Sequence, residues 1–281
     1  MSDRAVPDLA YWSGPGGEQW ARNLEYGERQ FVPVAAALLP AAAAKSGERA
    51  VDVGCGGGAT THALAQAVGP RGRVLGVDVS EAMLTLARHR APRDAPLEFV
   101  RADATDYVFP RGAFDLLFSR HGVMFFADPV RAFANLRAAS KPGGRLVFSC
   151  FRSPRDNPWA MTPLQAVRSF VPPLPKLGPE DPGPFSFADE ARVRRILGGG
   201  GFANIALKPV DVAFDLAAGC GLDAAVANVL EIGPTSRAVR GQSAEVRAQV
   251  ATALRAALAP FVKGQSVLLG AAIWIVSARN P

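Results

Sequence analysis

Ala50-Val51-Asp52-Val53-Gly54-Cys55-Gly56-Gly57-Gly58-Ala59-Thr60 decides the reading of this chain. A short apolar run carries one carboxylate and breaks into glycines, and a helical pattern over Ala59–Val68 follows at once. That order is strand, tight turn, helix. Glycines let a backbone approach a ligand closely, and a helix N-terminus offers unbonded N–H groups beside them. The turn is built to hold a small polar cofactor.

Gly54-x-Gly56-x-x-Ala59 also satisfies the dinucleotide pattern G-x-G-x-x-G/A, which alone is weak. Asp52 argues against a dinucleotide, since a carboxylate two residues before the first glycine repels a pyrophosphate and suits a cation. Asp78 ends the next expected strand, Arg73–Asp78, and is placed to accept from a ribose diol. Asp103 follows the strand after that, Leu97–Arg101, where a carboxylate accepts from an adenine amino group. Three carboxylates around a glycine turn suit a cation that carries an adenosine.

Asp52-x-Gly54-x-Gly56-x-Gly58 resembles the first motif of the class I S-adenosylmethionine (SAM) dependent methyltransferases. Asp78 and Asp103 match that family's ribose and adenine positions. Phe114-Asp115-Leu116-Leu117-Phe118-Ser119-Arg120 resembles its fourth-strand motif, and Lys141-Pro142-Gly143-Gly144-Arg145-Leu146 the turn into its fifth strand. The match covers residues 48–151 in order and spacing. The run 119–126 is similar to small-molecule methyltransferases grouped with the ubiquinone/menaquinone-biosynthesis enzymes, in which an aromatic residue is commoner where His121 stands. The resemblance implies SAM as cofactor and S-adenosylhomocysteine as product. It places Asp52, Gly54, Gly56, Asp78 and Asp103 against the cofactor, with Val79, Ala104 and Ser119 contributing backbone. Trp20, or Tyr11, is expected to stack on it from an N-terminal helix, since a sulfonium favours an aromatic face.

His121, just past the fourth strand, is the expected general base, with an ordinary pKa that suits proton abstraction at neutral pH. A pocket-wall histidine is the alternative. Arg120 is expected to bind an acidic group of the substrate or the carboxylate of SAM. Phe125 and Trp159, with Met124, Phe126 and Phe151, suggest an apolar acceptor methylated at O, N or C. His62 and His89 read as structural or exposed, and Asp106 as a surface turn carboxylate. The Asn/Asp-Pro-Pro-aromatic signature of nucleic-acid base methylation is absent after the fourth strand. The alternatives are a SAM-binding accessory protein without catalysis and, further off, a nicotinamide-dependent oxidoreductase.

The bulk numbers agree with a single α/β domain. The chain has 281 residues, 49% of them hydrophobic and only 20% charged, enough apolar material for a sizeable core. The net charge of +6 is scattered rather than striped; Arg192, Arg194 and Arg195 form the densest group, read as a solvated helix face. No nucleic-acid partner is required. Three distant cysteines, Cys55, Cys150 and Cys220, indicate neither a disulfide framework nor a zinc site. Residues 1–9 show no apolar leader core and no uninterrupted apolar run reaches membrane-spanning length, so a soluble cytoplasmic monomer or homodimer is expected.

Seven strands are expected: 49–53, 73–78, 97–101, 114–119, 145–151, 202–216 and 266–277. Helices alternate with the first five, at 59–68, 80–90 capped by Ser80, and 129–139, which implies parallel β-α-β units. The expectation is a Rossmann-like, doubly wound, mostly parallel sheet whose last strand is antiparallel. Residues 17–44 read as helical, broken near Pro33 and Pro40. Nine of the 23 prolines fall between Pro154 and Pro184, an insertion whose 159–170 piece still reads as helical. A helix from 188 ends at the four glycines 198–201. Two helical patterns, 222–232 and 243–258, lie before the last strand. The organisation expected is an N-terminal helical cap (1–44), a SAM-binding core (45–151) and two lid or substrate insertions (152–187 and 217–263), with an oligomer interface as the runner-up use of the insertions.

Overall fold

The computed structural model describes residues 9–175, 178 and 180–281. The leader reading of residues 1–9 therefore falls almost wholly outside the described residues. Three helices come first: α1 (Leu9–Ser13), α2 (Pro15–Arg22) and α3 (Leu24–Ala42). The alternating part runs β1 (Arg49–Val53), α4 (Ala59–Val68), β2 (Arg73–Asp78), α5 (Glu81–Arg90), β3 (Leu97–Arg101), β4 (Phe114–Arg120), α6 (Pro129–Ala139) and β5 (Ser140–Phe151). Then come α7 (Pro158–Val167), α8 (Glu190–Gly199), β6 (Ala203–Asp215), α9 (Gly221–Glu231), α10 (Pro234–Val239), α11 (Ala244–Leu258), the two-residue β7 (Val262–Lys263) and β8 (Ser266–Arg279).

The main sheet has the order β3-β2-β1-β4-β5-β8-β6. Strands β1 to β5 are mutually parallel, and β8 runs antiparallel to both β5 and β6. The Rossmann-like expectation holds, antiparallel last strand included. Strand order reverses between β1 and β4, the switch point where open α/β sheets bind ligands. β1 is buried on both faces from Ala50 onward, as a central parallel strand must be.

Pro33 and Pro40 do not break α3, a correction to the sequence reading; the chain breaks instead at Asn23. An interior proline costs a helix about 3 kcal/mol or more. Fully burying an aliphatic side chain returns about 1.5–3 kcal/mol. Val34 and Leu38 are both wholly inaccessible, within a buried stripe of Leu24, Gly27, Gln30, Val34, Leu38 and Ala42. That stripe packs on β4, β5, β6 and α4, and burial wins over the prolines.

The last two long strands, β6 and β8, pair from Asp215↔Leu268 to Ala203↔Arg279, and α9 to α11 are inserted between them. This insertion packs on α7 of the proline-rich segment. Asn157, fully buried, staples α7 to the sheet. Its Nδ2 donates to the carbonyls of Arg152 (3.3 Å), Ser153 (2.9 Å) and Ala272 (3.2 Å), and its Oδ1 accepts from Ala272 N (2.9 Å) and Trp159 Nε1 (3.0 Å). The α8 arginines lie in ion pairs, Arg192 and Arg195 with Glu180 and Arg194 with Glu190. No helix among the described residues is long and apolar enough to cross a membrane.

Candidate active site

The turn after β1 sits at the switch point and is made of backbone. Gly54, Gly56 and Gly58 have φ of +67°, +53° and +83°, values that L side chains rarely adopt. A Cβ on Gly54 would stand 2.7 Å from Gly122 Cα, because the turns after β1 and β4 touch backbone to backbone. Ser119 locks that contact: its Oγ donates to Val53 O (2.7 Å) and accepts from Gly122 N (3.1 Å). Ser119 itself does not line the cavity beside these turns; it holds them together.

Asp52 is likewise absent from the cavity wall. Its Oδ2 accepts from Thr60 Oγ1 and Thr61 Oγ1, both at 2.8 Å, while Oδ1 has no partner. Side chains alternate along a strand, and at this position the carboxylate points toward the first turn of α4. Burial raises its pKa to about 6, against the pull of the two threonines and of Arg120. Asp52 fixes the glycine turn from behind.

The cavity, of about 270 Å³, is lined by Gly54, Gly56, Asp78, Val79, Asp103 and Ala104 on its sheet side. Asp78 accepts from Gly56 N (2.8 Å) and Ser80 N (2.9 Å); burial raises its pKa and the backbone bonds hold it down. Each carboxylate oxygen keeps a lone pair for a diol. Asp103 accepts from Thr105 N (2.8 Å), and Asn135 of α6 pins this loop by donating to the carbonyls of Ala104 and Tyr107, both at 2.9 Å.

The opposite wall is side chain. Trp12, Trp20, Phe31, Phe125 and Phe126 line it, with Trp12 and Phe125 centroids 4.8 Å apart and Trp20 stacked on Phe31 at 5.9 Å. Trp20 and Phe125 are thus both part of this wall. Tyr11 does not line the cavity; Arg240 of the second insertion stands over its ring at 5.7 Å. Trp159 does not line it either, because Asn157 holds its indole N–H against the sheet. It stands 5.0 Å from Phe151, the ring on which His121 stacks.

His121 is in the wall, with φ +65°, an uncommon conformation for a side-chain-bearing residue. Its ring is 4.3 Å from that of Phe151, nearly parallel, and Nδ1 faces Ser149 Oγ at 3.4 Å. Nε2 is shielded and has no protein partner. Burial, helped by the Arg120 charge, lowers its pKa to about 3, so the imidazole is neutral and the sequence-based value near neutrality does not apply. Arg120 also lines the cavity, its guanidinium 5.5 Å from the Phe31 centroid. His62 packs on Phe99 outside the wall, His89 is exposed, and Asp106 pairs with Arg131 at the surface.

Sequence reasoning missed Glu28, Phe31 and Trp12. No local signal marked Glu28. Gly17 and Gly27 were available hints, since a Cβ on Gly17 would lie 2.2 Å from Ser80 Oγ and one on Gly27 2.9 Å from Trp20 Cζ3. Among the described residues no cluster of side chains suits a metal ion.

Residues 51–148 match the family described as a methyltransferase domain. Over that segment the chain resembles methyltransferases. The chain is 37% identical over 103 residues to the demethylmenaquinone methyltransferase of Staphylococcus carnosus, covering 37% of this chain and 43% of that protein. It is 34% identical over 138 residues to the nocamycin O-methyltransferase of Saccharothrix syringae, covering 48% and 49%. The chain thus spans about half the length of these curated relatives. Among solved structures, a putative methyltransferase from Bacillus halodurans superposes with a TM-score of 0.56 at 18% identity, covering 88% of this chain and 98% of that one. The likeness of fold therefore extends through the cap and the antiparallel strands. The residues present fit the SAM that the sequence resemblance implies: a glycine turn at positive φ, the Asp78 carboxylate, an aromatic wall and the unpartnered Oε1 of Glu28.

Proposed function

We infer that the protein transfers the methyl group of SAM to a small, largely apolar acceptor at O, N or C. The observation that carries this reading is one cavity with two unlike walls, backbone and carboxylates at the strand ends and aromatic rings facing them. SAM, when bound, supplies a methyl group already activated on a sulfonium. Asp78 grips the ribose diol, Asp103 and Ala104 meet the adenine, and the glycine turn leaves room beside Gly54 and Gly56. Asp52 and Ser119 act through that turn. Trp20 offers its ring to the cationic end.

The protein's remaining task is alignment and exclusion of water, worth about 7–11 kcal/mol in a well-oriented reaction. The cap (1–44) and the insertions (152–187 and 217–263) serve as the lid. Supporting this, Trp12 packs on Phe125, Arg240 stands over Tyr11, and Gln19 donates to the Glu231 carbonyl. Phe31, Phe125 and Phe126 receive the apolar body of the acceptor, and Trp159 and Phe151 back His121. His121 Nε2 meets the reacting atom of the acceptor. An oxygen gaining a methyl group becomes strongly acidic, so even this weakly basic imidazole can take its proton. The names of the two curated relatives, a demethylmenaquinone methyltransferase and a nocamycin O-methyltransferase, agree with a small acceptor. A cytoplasmic location agrees with three unpaired cysteines.

Calorimetry with S-adenosylhomocysteine, followed by labelled-methyl incorporation from SAM into quinone, phenol and amine panels, tests the reading. Saturable binding with incorporation into a small acceptor is expected. Binding of NADH in place of S-adenosylhomocysteine would overturn it, and binding with no incorporation into any acceptor would favour an accessory protein.

A further inference from the structure

Two opposite charges flank the glycine turn without touching. Glu28 reaches it from the cap helix α3 and Arg120 from the end of β4, and both line the cavity. Both also line, with Ala59 and Thr60, a shallow depression at the start of α4, which places them at the same end of the site. Arg90 fixes the Glu28 carboxylate by donating to Oε2 at 2.8 Å. Oε1 is left shielded from solvent with no partner, and a Cβ on Gly57 would stand 3.1 Å from it. Arg120 feels the charges of Glu28 and Asp52, yet among the described residues it forms no ion pair.

A shielded carboxylate oxygen without a partner is costly, and a guanidinium that faces the cavity with no carboxylate beside it is free for an anion; each is stabilised by a ligand of opposite charge. An α-amino acid carries one ammonium and one carboxylate on a single carbon, the charge pattern this pair is missing. We propose that Glu28 and Arg120 clamp the amino-acid end of SAM, Glu28 taking the ammonium and Arg120 the carboxylate, so that a complete cofactor holds the cap helix closed. The clamp rests on the SAM reading above and assigns Arg120 to the cofactor rather than to an acidic group of the acceptor. It gives the cap a way to sense the amino acid: adenosine contacts come from β2 and the loop after β3, whereas the ammonium contact comes from α3.

5′-Methylthioadenosine, which keeps the adenosine and thioether and lacks the amino acid, separates the two halves of the site. Its affinity and that of S-adenosylhomocysteine are measured by calorimetry for the wild type, Glu28→Gln and Arg120→Gln. Each variant is expected to lose about ten- to a hundred-fold in S-adenosylhomocysteine affinity, the weight of a hydrogen bond to a charged group, and to keep methylthioadenosine affinity within two-fold. Hydrogen exchange is expected to slow across α3 with S-adenosylhomocysteine and not with methylthioadenosine in the wild type, and the difference to vanish in Glu28→Gln. Equal losses for both ligands, or no loss for either, overturn the clamp while leaving the cofactor reading intact. A wild type that binds neither ligand overturns the cofactor reading itself.

Discussion

The two walls of the cavity are made of different material. On the sheet side the ligand would meet backbone: three glycines at positive φ, and carboxylates held by N–H groups at 2.8–2.9 Å. On the cap side it would meet rings carried by helices and by the turn after β4, namely Trp12, Trp20, Phe31, Phe125 and His121. The backbone wall is fixed by the sheet and cannot change shape without breaking it. The ring wall depends on how α1 to α3 and the insertions pack, so it can differ between proteins of one fold and can open. A constant polar cofactor belongs against the first and a variable apolar acceptor against the second.

The largest effect is expected on the backbone wall. On the proposed reading, Asp78→Ala removes two charge-assisted bonds to a ribose, each worth about 1.5–3 kcal/mol, and frees Gly56 N and Ser80 N. S-Adenosylhomocysteine affinity should fall by at least about a hundred-fold in calorimetry, with the thermal transition little changed. Near-native affinity would mean that the diol is held elsewhere and that the two walls do not divide the ligands in this way.

The support of the ring wall comes next. Asn157 satisfies five backbone and indole groups at the base of α7, and Asn157→Ala strands the buried ones. Unfolding in urea should show a loss of about 3–5 kcal/mol. Because the stack behind His121 runs through Phe151 to Trp159, the damage belongs to the cap side, and cofactor-product affinity should stay within a few-fold. A collapse of that affinity at full folding would show that the walls are coupled.

How far the sequence foretold each wall follows the same division. The ends of β1, β2, β3, α4 and α6 were legible to the residue, since strand, glycine turn and capped helix are local patterns. Gly54, Gly56, Asp78, Asp103 and Ala104 lie on that local frame and line the cavity. Asp52 was placed on the right turn, but its bonds to Thr60 and Thr61 were not foreseen, because motif spacing does not tell which face of β1 the threonine hydroxyls of α4 occupy. The ring wall was legible only in part. Glu28 and Phe31 reach the site through the long-range docking of α3, which no spacing within α3 reveals, and Trp159 was drawn away by Asn157. The unbroken course of α3 through Pro33 and Pro40 likewise depends on burial against a sheet that follows it in the chain.

The smallest expected effects come from one titrating group behind each wall, and they have opposite signs. Asp52, behind the backbone wall, has a folded pKa of about 6 against an ordinary 3.8. Between these values the folded state holds a proton that the unfolded chain releases, so this group adds stability as pH falls, about 2 kcal/mol from pH 7 to 4.5. His121, in the ring wall, is lowered to about 3 from 6.5. There the unfolded chain binds the proton first, so stability is lost below about pH 6.5, roughly 3 kcal/mol by pH 4.5. In the wild type the two nearly cancel. Urea unfolding of Asp52→Asn from pH 7 to 4.5 should expose the full acid loss. His121→Phe, which keeps the stack on Phe151, should instead gain stability on acidification. Identical pH slopes in the two variants would mean that neither group is buried as described, and an imidazole that titrates by NMR between pH 6 and 7 would return His121 to the role of an ordinary base.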